Sequence, residues 1–319
     1  MTTNYRIWNS GISLLFAMLL GSIILANYII DPYYVFHSNY TRVSPTVNDR
    51  FNKIEYLKNH HTKYNSFLIG SSRMGTFDNR YLENLYPNRK YYNLSFFAAE
   101  PEEILSNLIF LKNNGARFDY ILMGIDIYPF IQHQHSDSLS VRPHPLITKE
   151  SHFMWYKDYF VTAGLAQLFT AIENHVSENP LLFDFSATGS WLLFQDVKPI
   201  ENTKYYHPIS RKFDVNRINI EWDKSKFVAL SNLIKWINAN TLTADFFIHP
   251  FHNSLTSRID PQSLDMFYHN VRTIVPNIND FSGLEEIVHN NYMYYDEKHY
   301  RPMIADSLIA RIFQTTSSL

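Results

Sequence analysis

No cysteine occurs anywhere in the 319 residues. This excludes disulfides, thiolate-held metals and a thiol nucleophile, and it leaves the redox compartment open. A dominant charge is missing too. Lys and Arg number 28 against 30 Asp and Glu, for a formal net charge of -2. No broad basic field therefore offers itself to a nucleic acid, and none is expected as a partner. The chain has no internal repeat and no low-complexity tract. What it has in quantity is aromatic side chains, 22 Tyr and 24 Phe. They suit a large core, or grooves for sugars or acyl chains. The length fits one large domain, or one domain carrying a substantial insertion.

Charge is also absent from Ile12 to Ile30. As a helix this run approaches the roughly 20 residues needed to cross a bilayer. Tyr5 and Trp8 on one side, with Tyr28, Tyr33 and Tyr34 on the other, resemble interfacial aromatic belts. A cleaved signal peptide fits less well, because Leu25-Ala26-Asn27 before Tyr28 is a poor cleavage site. A buried core helix would show an amphipathic stripe, and this segment is apolar all round. The expectation is an uncleaved single-span anchor over residues 1–31, ended by Asp31-Pro32. Arg6 and the free amine before the run, with Asp31 as the first charge after it, place the N-terminus in the cytoplasm. The globular part would then lie on the periplasmic or extracellular side of a bacterial inner membrane.

Residues 32–64 are polar and tyrosine-rich and read as a connector with one helix around Asn52 to His60. From there strands and helices alternate. The strand candidates are Ser66 to Ile69, Tyr91 to Leu94, Tyr120 to Ile125, Asp245 to His249 and Tyr292 to Tyr295. Helices are announced by Pro101, by Asp223, by Asp260-Pro261 and by the apolar face Ile304, Leu308, Ile309, Ile312. That alternation predicts a three-layer α/β fold: a flavodoxin-like parallel sheet of about five strands with helices on both faces, preceded by one transmembrane helix. Residues 132–221 break the rhythm with a His-rich loop (His133, His135, His144), an amphipathic helix near Tyr159 to His175 and an aromatic stretch to Trp222. They read as an insertion over the sheet's carboxyl edge within a domain spanning 65–319.

The chemistry sits at two distant places. Ser66-Phe67-Leu68-Ile69 is a buried strand that stops at Gly70, and Ser71, Ser72 and Arg73 follow at once. Open α/β sheets bind ligands at that edge, and Gly70 permits the sharp turn that presents a serine outward. A turn and a helix cap would give the same letters. Near the other end stands Asp296-Glu297-Lys298-His299. Serine needs a base to take its proton, and the base needs an orienting partner. Three residues apart in a helical turn, Asp296 and His299 could supply both. A helix cap with a surface histidine is the plainer reading of that tetrapeptide alone. His249 and His252 are a further pair, but no third ligand accompanies them and Pro250 interrupts the spacing. Neither a metal nor a cofactor is expected. Tyr300, Tyr128 and Trp222 are aromatic candidates for a cleft wall.

Together these features resemble the SGNH (GDSL-like) hydrolase superfamily over roughly residues 60 to 316, with the insertion unmatched. The likeness is closer to membrane-anchored SGNH-like proteins of bacterial cell envelopes, including the DltD type involved in D-alanylation. Those proteins share a Gly-Ser-Ser turn, an Asn-Leu after the second strand and a terminal Asp-x-x-His-Tyr. Here these are Gly70-Ser71-Ser72, Asn93-Leu94 and Asp296 to Tyr300. The resemblance implies Ser72 as nucleophile, His299 as general base and then acid, and Asp296 as its orienter, with Ser71 the neighbour to exclude. It implies a serine esterase or O-acyltransferase acting on an envelope glycan or lipid-linked carrier, with other envelope proteins as further partners. The Gly-x-Ser-x-Gly elbow of α/β-hydrolases is not met, since Met74 replaces its last glycine.

Two positions depart from the superfamily. Ser95 stands where a glycine N–H usually enters the oxyanion hole. Gly124-Ile125-Asp126-Ile127 replaces a block whose asparagine donates to the oxyanion. An ionised carboxylate cannot donate and repels developing negative charge. Loss of one such donor costs on the order of 3 kcal/mol of transition-state stabilisation. The sequence therefore asks for a protonated Asp126, for another donor such as Arg73, or for slow or absent turnover. In the last case the chain would be a binding or assembly protein of an envelope polysaccharide machine.

Overall fold

The computed structural model describes residues 2–37, 42–43, 47–132, 138–162, 165–175, 181–193 and 217–316. His133 and His135 of the expected His-rich loop lie outside them. Helix α1 (Thr2–Ile30) opens the chain, and its stretch Tyr5–Ile30 is long and apolar enough to cross a membrane. It ends in a knot. Asp31 takes a left-handed backbone (φ 46°), and its buried carboxylate accepts the N–H groups of Val35, Phe36 and His37 and the hydroxyl of Tyr159. Strand β1 (Arg42–Val43) follows. Helix α2 (Asp49–His60) begins three residues before the sequence pattern suggests, because the Asn48 side chain accepts the Phe51 N–H and caps it.

The central layer then unfolds in order: β2 (Ser66–Ile69), α3 (Asn79–Leu85), β3 (Tyr91–Asn93), α4 (Pro101–Asn113) and β4 (Tyr120–Ile125). After it come α5 (Pro145–Thr148), α6 (His152–Thr162), α7 (Leu165–His175), β5 (Leu181–Phe183) and β6 (Trp191–Leu193). The rhythm resumes with α8 (Lys224–Ala239), β7 (Ala244–Ile248), α9 (Asn253–Thr256), α10 (Pro261–Ile274), β8 (Asn279–Asp280), α11 (Glu285–Val288) and α12 (Pro302–Thr316).

The main sheet is wholly parallel, in the order β3-β2-β4-β7-β8. Counted along the chain these strands run 2-1-3-4-5, the doubly wound order of flavodoxin-like sheets. Both faces are covered, so strand residues alternate between two apolar layers. Phe67 and Ile69 join Ile121, Met123 and Ile125 under α4, α8 and α10. Leu68 joins Tyr120 and Leu122 under α3 and α12. That double burial explains why β2 and β4 read as continuous apolar runs. The order reverses between β2 and β4, which opens a crevice at their carboxyl ends.

Three expectations need correction. The fifth strand is Asn279–Asp280, paired with Phe247 and Ile248 of β7, not Tyr292 to Tyr295. The aromatic run instead forms a 3-10 turn at Asn291–Met293 and a single bridge between Tyr294 and Tyr300. Both of those tyrosines are buried in the layer beneath α12, so packing under a loop placed aromatics there, not pairing in a ladder. Asp296 to His299 accordingly lies in a non-helical bend, closed by the Tyr295 N–H donating to the His299 carbonyl at 2.8 Å. The single helix expected near Tyr159 to His175 is two, α6 and α7. They pack against α1, with Asn27 Nδ2 donating to the Phe160 carbonyl at 2.7 Å. A second, antiparallel sheet joins β1, β5 and β6.

Candidate active site

Strand β2 ends at Gly70, whose φ of +142° suits glycine, and a Cβ there would meet the Gly124 carbonyl at 2.6 Å. The chain turns through Ser71 into a 3-10 turn over Ser72–Thr76. The indole N–H of Trp191, on β6, donates to the Ser72 carbonyl at 3.0 Å and fixes that turn from the second sheet. Ser72 is half-buried.

Ser72 Oγ lies 3.0 Å from His299 Nε2, across 227 residues of sequence. On the ring's far side His299 Nδ1 is 3.0 Å from Asp296 Oδ2. Burial pushes the Asp296 carboxyl up, but the His299 imidazole and the N–H groups of Lys298 and His299 outweigh it and hold the group down at about 2. An ionised carboxylate only accepts, so Nδ1 carries a proton and Nε2 is the ring nitrogen that faces the Ser72 hydroxyl. This is the geometry a general base needs.

Ser71 is engaged elsewhere. Its hydroxyl donates to Asp126 Oδ2 at 2.5 Å. Asp126 also accepts the Tyr128 N–H at 2.8 Å and lies 3.3 Å from Arg73 Nη1. Burial would raise the Asp126 carboxyl, yet the Arg73 guanidinium, with Ser71 and Tyr128, leaves it below the ordinary carboxylate value. Asp126 is thus ionised and neutralised by a buried arginine. Of the ways out noted from sequence, protonation does not fit. Arg73 Nε donates to the Lys298 carbonyl, and the guanidinium stacks 3.7 Å from the Phe251 ring centre. Its Nη1 is paired with Asp126 in charge but makes no hydrogen bond among the described residues. Arg73 therefore ties the β2 turn to the backbone beside His299, and one buried N–H donor stays in hand.

The remaining expected residues fall into place around this pair. Asn93 is buried, and its amide donates to the Met74 carbonyl at 2.6 Å. Its Oδ1 accepts from both the N–H and the hydroxyl of Ser95, so the Ser95 N–H is already used. Gly124 makes room: a Cβ there would meet His249 Nε2 at 2.1 Å. His249 is fully buried, with Nδ1 2.7 Å from the Tyr300 hydroxyl. Burial, reinforced by Arg73, lowers it to about 3, so the ring is neutral. His252 turns away to Ser254 and Asn291, so the two histidines do not converge. His144 pairs with Glu55, remote from the serine turn in the fold. Trp222 stacks on Phe267. Of the three aromatic candidates, Tyr128 lines the cavity.

That cavity, about 370 Å³, is bounded by Ser72, His299, Arg73, Lys298, Tyr128 and Ala98. Ala98 carries no sequence signal, but it takes a left-handed backbone (φ 52°) and is exposed. Such a conformation costs a non-glycine residue on the order of 1–3 kcal/mol and persists where its surroundings enforce it. Helix α2 does so. Lys53 Nζ donates to the Ser95 carbonyl at 2.5 Å, Arg50 Nη2 to the Phe97 carbonyl at 2.8 Å, and Asp49 Oδ2 accepts the Phe97 N–H. Among the described residues, the N–H groups of Ser72 and Ala98 find no hydrogen-bond acceptor. Both residues border the cavity, and a pair of free N–H groups is what an oxyanion requires. Lys298 Nζ sits 4.5 Å from the Tyr128 ring centre and adds positive charge at the same wall. Among the described residues, no cluster of His, Asp and Glu could hold a metal ion.

Residues 11–172 match a protein family described as "protein of unknown function (DUF1574)". The matched segment runs from α1 to α7 and includes Ser72, Arg73 and Asp126, while Asp296 and His299 lie beyond it. No curated protein matches the chain.

Proposed function

Since the chain belongs to this DUF1574 family, for which no activity is stated, we propose from its site that it is a serine acyl-ester enzyme of the SGNH type. It would be held to a bacterial inner membrane by α1, with the sheet domain on the periplasmic side. The observation that carries the reading is the pair of contacts Ser72 Oγ to His299 Nε2 and His299 Nδ1 to Asp296 Oδ2, each 3.0 Å. Ser72 Oγ attacks the ester carbonyl carbon as its proton passes to His299 Nε2. Asp296 stabilises the imidazolium. The tetrahedral oxyanion meets the N–H groups of Ser72 and Ala98, and its collapse expels an alkoxide that takes the proton back from His299. Water or a sugar hydroxyl, deprotonated in turn by His299, then releases the acyl group from Ser72. Acylated envelope glycans or lipid-linked carriers are the substrates this placement suits. A mixed wall of Tyr128, Pro129 and Ile131 with Arg73 and Lys298 accommodates an apolar chain beside polar hydroxyls.

One observation favours a second reading. Asp126 cannot donate, and the Ser95 N–H is consumed by Asn93, so two customary donors are absent. On that account the chain is a glycan-binding or assembly protein of an envelope machine that retains the fold with little turnover. Covalent labelling of the full chain by a fluorophosphonate separates the two. An enzyme labels at Ser72, loses the label in Ser72→Ala and keeps it in Ser71→Ala. Label on Ser71 overturns the assignment of Ser72, and no label at all together with a Ser72→Ala variant that fully complements a deletion strain establishes the binding reading.

A further inference from the structure

Outside the site, the least explained feature is the apolar surface of α6 and α7. On α6, Phe153, Met154 and Val161 are exposed and share one arc of the helix, with exposed Lys157 between them. Trp155 and Tyr159 fill the opposite arc and are fully buried. On α7, Phe169 and Ile172 are exposed at helical spacing, and their neighbours Leu168 and Ala171 are buried. Five large apolar side chains on two adjoining helices exceed the scattered exposure a soluble surface carries.

Their neighbour says what covers them. The residues of α1 shielded from solvent include Leu20, Ile24, Asn27 and Ile30, and α6 and α7 are the helices packed there. Leu20 lies about 15 Å along the helix axis from Ile30. The apolar stretch Tyr5–Ile30 of 26 residues is about 39 Å long, against a hydrocarbon core of about 30 Å. Even if the whole surplus of about 9 Å emerged at the Ile30 end, Leu20 would still be inside the bilayer. Helices in contact with the side of α1 on which Leu20, Ile24 and Asn27 lie therefore reach the lipid boundary.

We propose that α6 and α7 form a platform seated in the lipid headgroup and upper acyl region, their outward apolar faces continuing the surface of α1. The inference rests on the reading of α1 as a membrane span. Phe153, Val161, Phe169 and Ile172 enter the interface, while Lys157 extends its stem along the apolar face and brings its ammonium to the phosphates. The platform gives the domain a second attachment, so the molecule stands at a fixed tilt on the membrane and does not swing on a single helix.

The absence of cysteine makes the test direct. Single cysteines at Phe153→Cys and Phe169→Cys, at Leu19→Cys within α1 and at Val228→Cys on α8 are labelled with bimane in the full chain. The protein is then placed in nanodiscs of phosphatidylethanolamine and phosphatidylglycerol containing nitroxide lipids. Shallow nitroxides should quench the labels at 153 and 169 at least about threefold more than the label at 228, and deep nitroxides should quench the label at 19. Quenching at 153 and 169 no greater than at 228, or shielding from both nitroxide and aqueous iodide as a protein contact would give, overturns the platform. An unquenched label at 19 instead overturns the span. Persistent quenching at 153 and 169 in that case supports the platform as a surface attachment.

Discussion

Replacing Asp126 by Asn tests the electrostatic core of the site. The change is nearly isosteric, and on a sequence argument it restores the missing amide donor and should speed acylation. The structure gives the opposite result. Asp126 is buried and faces Arg73 Nη1 at 3.3 Å, while it accepts from Ser71 Oγ and the Tyr128 N–H. Asn can still accept the Tyr128 N–H through its one oxygen. Its amide nitrogen then stands against Arg73, donor to donor, and the buried guanidinium loses its counter-charge. Breaking one partner of a buried pair costs about 3–5 kcal/mol. At about 2.1 cal/mol/K of unfolding entropy per residue over 319 residues, that is a fall in Tm of about 4–8 °C. Because Arg73 also holds the Lys298 carbonyl beside His299, fluorophosphonate labelling of Ser72 should slow as well. Differential scanning calorimetry with labelling time courses reads both. The double variant Arg73→Met/Asp126→Asn should recover part of the lost stability, since no charge is then left unpaired. A variant Asp126→Asn that melts with the parent and labels faster would refute the ion-pair account.

Two further outcomes follow from the same geometry. Burial lowers the Lys53 ammonium to about 7, far below its ordinary value, so between pH 7 and pH 10 the unfolded chain binds more protons than the folded one. Stability should rise with pH across that window, and Lys53→Met should flatten the rise; urea titrations at pH 7 and pH 9.5 that show equal slopes for both proteins would exclude a buried, depressed lysine. Gly124→Ala places a methyl group 2.1 Å from His249 Nε2 and 2.7 Å from Met74 Sδ. Overpacking of this kind costs about 1–3 kcal/mol, and calorimetry showing an unchanged Tm would mean that His249 is not seated against that strand.

Much of this architecture was legible in the letters, and the reasons are local. Tyr120 to Ile125 reads as a strand because both of its faces are covered. Pro101, Asp223 and Asp260 mark helix starts because caps are chosen by their own chemistry. Ser72, Asp296 and His299 stand out because a hydroxyl at a strand's carboxyl end and a carboxylate three residues before an imidazole are short-range patterns. Residues 292–295 misled because a tyrosine-rich run looks alike whether it pairs in a sheet or packs beneath a loop.

Three things were settled only by the folded chain. The 227-residue separation between Ser72 and His299 closes to 3.0 Å, which no window of sequence can register. Asp126 reads as a liability until Arg73 is seen paired with it, because the charge of a buried group is decided by what surrounds it. Ala98 becomes a candidate donor through a backbone angle imposed by Asp49, Arg50 and Lys53 from another helix. Composition and periodicity report what each segment prefers by itself. Which polar groups meet, and which N–H groups are left free to meet a substrate, depends on contacts between segments and so exists only in three dimensions.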